Sequence, residues 1–179
     1  MLGRTTYTPD EGASAYLGTR RRAVPVRRRA VAALLVTAAA LTAHAPVASV
    51  ASVASPESTY AAAAVRATNN ARADNGRRAL RVSDCLRGFA ARQATAMAES
   101  GSMYHQDLGA VMDGCGLSTA GENVAYGYPS GRSVVRHGWM HSEGHRANIL
   151  SREYRLVAVA ARRSAGGTWY VAQVFGRRR

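Results

Sequence analysis

The apolar positions of this chain change period along its length. Residues 57–74 are alanine-rich and contain neither Gly nor Pro, which predicts a helix that Asn75-Gly76 stops. Ser83 or Asp84 can cap a second helix running to about Ser100, with Gly101 after it. Its apolar residues Leu86, Phe89, Ala90, Ala94 and Met97 fall at a spacing that forms one stripe. A third helix is expected from Ser130 to about Ser142, with Val134, Val135 and Trp139 inward and Gly144 as its end. The segments 155–161 and 168–175 are rich in β-formers and flank Ser164-Ala165-Gly166-Gly167, which predicts a hairpin. Residues 101–129 are Gly-rich and read as irregular. Helices first and a hairpin last suggest an α+β fold with helices against a small sheet.

The N-terminal third follows a different pattern. Residues 1–54 hold seven arginines, and an apolar run of 14 residues extends from Ala30 to Ala43. Small-residue sites follow at Ala43-His44-Ala45, Ser49-Val50-Ala51 and Ser52-Val53-Ala54. A charged stretch, a short apolar run and small-x-small sites describe a secretory signal peptide. Pro46 disfavours a cut after Ala45, so cleavage is expected after Ala51 or Ala54. An uncleaved anchor is the alternative, although the run is short for a bilayer span. The stretch before Arg27 is long for a signal peptide, so Met1 is expected to lie upstream of the true start. The reading is therefore an N-terminal extension and signal peptide over 1–54, with one domain over 55–179 that acts outside the cell as a monomer. Residues 46–56 read as a flexible leader.

Charge sharpens the choice of partner. The 179 residues carry 24 basic and 11 acidic groups, a formal +13, and every basic residue is arginine. The two densest runs, 20–22 and 27–29, fall in the export segment. The remainder is still near +8, which suits an anionic surface or envelope polymer. No arginine cluster is interleaved with aromatics, so nucleic acid is not expected as a partner. Cys85 and Cys115 are the only cysteines. In an oxidising compartment one disulfide is their simplest reading, closing a loop of about 30 residues, with two free thiols as the alternative.

Polar chemistry concentrates in three places: His105, Gly121-Glu122-Asn123, and the run from Trp139 to Leu150. His141, Glu143 and His145 only superficially resemble a zincin helix. That motif needs the glutamate directly after the first histidine. His137 and His141, also four apart, read as an exposed helix face.

In order and separation these motifs resemble the CAP superfamily, the cysteine-rich secretory, antigen 5 and pathogenesis-related proteins, and specifically its bacterial branch. The resemblance covers about Tyr60 to Gly176. It rests on Asn70-Ala71-Arg72, Met97, His105, Gly121-Glu122-Asn123-Val124-Ala125, Trp139-Met140-x-Ser142-x-Gly144-His145-Arg146-x-Asn148-Ile149-Leu150, and Gln173-Val174-Phe175-Gly176. It implies an α-β-α sandwich, a small and largely antiparallel sheet between helical layers. It also implies a cleft with two histidines and two acids. His105, Glu122 and His145 match three of these, and Ser142 stands at the position of the second glutamate.

The resemblance leaves several functions open. Some members hold a metal on this histidine pair, so a divalent ion such as zinc on His105 and His145 is one expectation. Family links to lipid and sterol binding imply a secreted module that takes a lipid or cell-envelope ligand. Protease activity has been claimed for parts of the family, so a hydrolase is the competing expectation. It would use either metal-bound water with Glu122 as base, or Ser142 as nucleophile with His145 as base. A third reading is an envelope protein with no small ligand.

Overall fold

The computed structural model describes residues 54–179. The expected start site and nearly all of the expected signal peptide and 46–56 leader lie outside the described residues; the end of the leader is corrected, since Ser55 caps α1 and Pro56 is already its first residue.

Helix α1 spans Pro56–Asp74. The Ser55 side chain accepts from Ser58 N, and proline occupies the first turn, where its missing N–H costs nothing. Strand β1 is short, Arg81–Val82, and Ser83 then caps α2 over Asp84–Ser100 by accepting from Leu86 N. Gly101 closes α2 at φ 67°, a left-handed conformation that glycine adopts freely.

Residues 101–129 depart from the irregular reading. They contain α3 (Leu108–Cys115) and the ten-residue strand β2 (Leu117–Tyr126). The strand escaped notice because Gly121, Glu122 and Asn123 interrupt its alternation. These positions are set by neighbours that lie far away in sequence. A Cβ at 121 would collide with the Tyr154 ring, so glycine is required there.

The expected third helix is also corrected. Residues 131–141 form a three-residue α4 (Gly131–Ser133), a π-helical turn (Val134–Gly138) and a 3₁₀ turn (Trp139–His141). The break comes at Ser142, which is extended (ψ 125°), and α5 (Glu143–Leu150) begins beyond it. Gly144 therefore sits in the first turn of a new helix and does not terminate the old one. The hairpin forms as expected, from β3 (Leu156–Arg163) and β4 (Trp169–Arg178).

The four strands form one mixed sheet in the order β1-β3-β4-β2. The β1–β3 pair is parallel, and the β3–β4 and β4–β2 pairs are antiparallel. The central strands are apolar on both faces, as a sheet between two helical layers requires. Val157, Val159, Ala161, Val171 and Phe175 face α1, the 131–141 segment and α5. Leu156, Ala158, Ala160, Ala172 and Val174 face α2 and α3. Period-two alternation thus divides each strand between two cores. The α+β, α-β-α sandwich is the observed fold.

A disulfide joins Cys85 at the start of α2 to Cys115 at the end of α3, with Cα atoms 5.8 Å apart. Among the described residues no helix is long and apolar enough to cross a membrane.

Candidate functional site: a cleft beside the edge strand

Strand β2 lies at the edge of the sheet, and the Trp139–Leu150 motif closes over it. The Trp139 indole Nε1–H donates to the Val124 carbonyl at 3.2 Å. Asn148 Nδ2 donates to the Glu122 carbonyl (3.1 Å) and to Asn123 Oδ1 (3.0 Å). These carbonyls on the sheet edge would otherwise need water or another strand. Asn123 Nδ2 donates in turn to the His145 carbonyl (3.1 Å) and to Gln173 Oε1 (3.0 Å). Gln173 Nε2 donates to Thr68 Oγ1 of α1 at 2.7 Å. This polar chain fixes α5 against β2, β4 and α1, and so places His145.

A second clamp holds the far end of α5. Arg72 is 1% exposed and forms no ion pair among the described residues. Its guanidinium donates to the carbonyls of Arg78, Ile149 and Ser151 at 2.8, 2.6 and 2.9 Å. A cation at a helix C-terminus meets both the orphan carbonyls and the negative end of the dipole. The Asn-Ala-Arg signature at 70–72 thus acts by holding the helix that carries His145.

The sequence-identified residues form two pairs. His105 Nδ1 lies 2.8 Å from Glu122 Oε2. Gln106 adds its backbone N–H to the same oxygen (3.2 Å) and its side-chain amide to Oε1 (2.6 Å). The Glu122 side chain is 1% exposed, whereas that of His105 is 51% exposed. The carboxylate is therefore enclosed and already engaged on both oxygens. Its hydrogen bond raises the His105 pKa above the ordinary histidine value, against an opposing effect of burial.

In the other pair, Ser142 Oγ and His145 Nδ1 are 2.9 Å apart. Ser142 is the N-cap residue of α5, yet its hydroxyl makes no capping bond to a backbone N–H and is spent on the imidazole. Burial, and then the charge of His105, lower the His145 pKa.

A cleft of about 470 Å³ opens beside the last residues of β2. Met103, Val124, Tyr126, Tyr128 and Trp139 provide apolar and aromatic wall, and His137, His141, Ser142 and His145 provide polar edge. Tyr126 is 48% exposed and stacks on Tyr170, with ring centroids 5.7 Å apart. Gln106 and the tyrosine wall were not singled out from the sequence. Gln106 carried no signal, but Val124, Tyr126 and Tyr128 continue the period-two spacing of a strand.

The model of the cysteine-rich secretory protein family, CAP, matches residues 65–175. The chain belongs to this family. Its CAP domain is 33% identical over 109 residues to the uncharacterized protein YkwD of Bacillus subtilis, covering 57% of this chain and 42% of that one. It is 46% identical over 44 residues to the uncharacterized membrane protein YlbC of Bacillus subtilis, covering 25% of this chain and 12% of that one. The chain thus spans less than half the length of these curated relatives.

Solved structures share the fold. An extracellular protein containing an SCP domain from Bacillus anthracis superposes with a TM-score of 0.59 at 24% identity, over 68% of this chain and 41% of that one. An outer surface protein from Borrelia burgdorferi gives 0.58 at 16%, over 64% and 90%. A cysteine-rich secretory protein from Staphylococcus aureus gives 0.59 at 21%, over 69% and 40%.

The donor set for a metal is limited in this CAP domain. Glu122 is committed on both oxygens, which leaves the Nε2 atoms of His105 and His145. Resident zinc centres take three or four protein ligands. Among the described residues no group of three or more His, Cys, Asp or Glu side chains is placed to hold an ion. Two imidazoles fall short of such a centre.

Proposed function

We infer that this CAP-domain chain is a secreted binding module whose cleft holds an apolar or amphiphilic ligand, a lipid or lipid-like component of the cell envelope. The observation that carries this reading is the composition of the cleft. Its wall is apolar and aromatic over Met103, Val124, Tyr126, Tyr128 and Trp139, and its polar groups stand along one edge. That is the usual build of a small-molecule site, in which apolar area supplies affinity and few polar groups fix orientation. Of the residues named from the sequence, Ser142 and His145 line this cleft, whereas the hydrogen-bonded His105–Glu122–Gln106 cluster is not part of its lining. A carboxylate enclosed by three donors is a poor general base, because abstracting a proton would first break those bonds. The likeness to an extracellular protein, an outer surface protein and a secretory protein supports a place outside the cell.

One observation favours a second reading, a serine hydrolase. Ser142 and His145 are within hydrogen-bond reach at 2.9 Å, and both line the cleft. His145 would take the Ser142 proton on Nδ1 as Oγ adds to an ester carbonyl carbon, and would return it to the departing alkoxide as the carbon–oxygen bond to the leaving alcohol breaks and the acyl-serine forms. The N-cap and third positions of a helix are natural neighbours, however, so the contact also follows from helix geometry alone. Among the described residues no carboxylate hydrogen-bonds to His145 as an orienting third group. A metal-assisted version has only the two imidazoles of His105 and His145 to hold its ion, short of the three protein ligands of a catalytic zinc site.

Native mass spectrometry of the secreted chain, with an ester-hydrolysis assay, tests the reading. The expected result is a 1:1 adduct with an amphiphile and no turnover. Ester turnover that disappears in Ser142→Ala would establish the hydrolase instead.

A further inference from the structure

Eight of the 17 arginines in residues 54–179 gather at one end of the sheet. Arg81 opens β1, with Arg77 and Arg78 just before it. Arg152 and Arg155 precede β3, whose first residue Leu156 pairs with both Arg81 and Gly176. Gly176 leads directly into Arg177, Arg178 and Arg179, and Arg178 pairs with Leu117 at the start of β2. The pairing register therefore brings these arginines together from three separate stretches of sequence. All but Arg77 are exposed. Asp74, Asp113 and Glu153 are the acids in the same segments. Two of them are engaged, Glu153 with Arg177 at 3.3 Å and Asp113 with Arg179 at 3.6 Å. Arg78, Arg81, Arg152 and Arg178 form no ion pair among the described residues.

The cleft lies at the other end of β2. Its β2 residues begin at Val124, seven positions beyond Leu117, or about 20 Å along the strand. The strand-end arginines Arg81, Arg177, Arg178 and Arg179 thus lie away from the ligand cleft, while Arg77 faces a separate depression of about 540 Å³ that His141 and Ser142 also line.

We propose that this arginine end of the sheet is a docking surface for a bilayer carrying anionic phospholipid, and that it seats the domain with its cleft directed away from the bilayer. Four adjacent strand ends make a ledge about 14 Å wide before the loops are added, broad enough to meet several headgroups together. Guanidinium matches phosphate in two-point geometry, which suits a chain whose basic residues are all arginine. Val82, 56% exposed beside Arg81, adds an apolar side chain at the level of the headgroups. A planar partner fits a ledge of this form better than a single free anion, which would contact one or two of these arginines.

The test is co-sedimentation of the full-length chain with vesicles of phosphatidylcholine alone, or with about a third phosphatidylglycerol, across a sodium chloride series. Two charge-matched variants isolate the surface. One replaces Arg78, Arg81, Arg152 and Arg178 by Gln. The other replaces Arg66, Arg92, Arg132 and Arg136, which lie on the helical layers. Residues 1–53 are common to both and cancel from the comparison. Each basic residue near an anionic bilayer strengthens binding about fivefold, so the ledge variant is expected to lose a hundredfold or more. The control variant is expected to lose less than tenfold, and salt is expected to weaken the parent chain. Equal losses in the two variants, or equal binding to neutral vesicles, would overturn the proposal. So would binding to soluble polyphosphate with none to vesicles, which would identify a free polyanion as the partner. Cleft occupancy in the ledge variant should match the parent, so this result and the cleft result fail independently.

Discussion

Asn148 Nδ2 donates to the backbone carbonyl of Glu122, 26 residues earlier in the chain, at 3.1 Å. One side chain of the α5 motif thereby closes the sheet edge and fixes the strand that carries the buried carboxylate. Replacing Asn148 by Ala would leave the Glu122 carbonyl and Asn123 Oδ1 without this donor. The expected cost is about 1–3 kcal/mol, read as a lowered urea midpoint with an unchanged m-value. A loss below about 0.5 kcal/mol would show that water replaces the side chain.

Arg72 makes a stronger demand. It donates to carbonyls of three residues from a buried position, so Arg72→Met removes charged hydrogen bonds and leaves helix-terminal carbonyls unpaired. A loss of about 3 kcal/mol is expected by urea denaturation. Arg72→Lys should recover only part of it, because one ammonium cannot reproduce the planar fork. Full recovery by lysine would reduce the role of Arg72 to charge alone.

His105 and His145 should titrate in a fixed order. His105 gains affinity for its proton on folding, through Glu122. Its contribution to stability is whole below the ordinary value of 6.5 and is lost as pH rises through the higher folded value. His145 has the opposite sign, since burial lowers its pKa. Its contribution is whole above 6.5 and is lost as pH falls through the lower folded value. Histidine ring resonances followed by NMR should show His145 titrating at the lower pH. Glu122→Gln should move His105 back toward 6.5. A reversed order would contradict the assigned hydrogen bonds.

The disulfide closes a 30-residue separation between α2 and α3. Replacing both cysteines by serine should cost about 3–4 kcal/mol, measured by thermal or urea unfolding, if the chain-entropy view holds. An unchanged midpoint would mean that side-chain packing, with Phe89 of α2 seated against Gly114 of α3, already holds the two helices together.

The legible parts of the sequence were those with strong local signals. Ser55, Ser83 and Gly101 delimit α1 and α2, and the alternating Val and Ala of β3 and β4 declare the hairpin. The motif residues His105, Glu122, Ser142 and His145 could be named, and they emerge as two hydrogen-bonded pairs. The illegible parts depended on distant neighbours. Strand β2 carries Gly121 because Tyr154 packs on it, and Asn123 because Gln173 and α5 need a polar partner. The segment before Ser142 widens to a π turn over Val134–Gly138 and then tightens to 3₁₀ at Trp139, whose indole reaches the Val124 carbonyl. Gln106 closes the carboxylate from a loop position that has no periodicity to reveal it.

The central claim is that the cleft beside β2 takes an apolar or amphiphilic ligand. Its most direct test is titration of the full-length chain with a fluorescent long-chain fatty acid, alongside Tyr126→Glu. Tyr126 is 48% exposed, so the variant should fold while placing a charge on the cleft wall. The account predicts saturable 1:1 binding to the parent chain, weakened at least tenfold in the variant. Absence of saturable binding, or equal affinity in the two proteins, would contradict it.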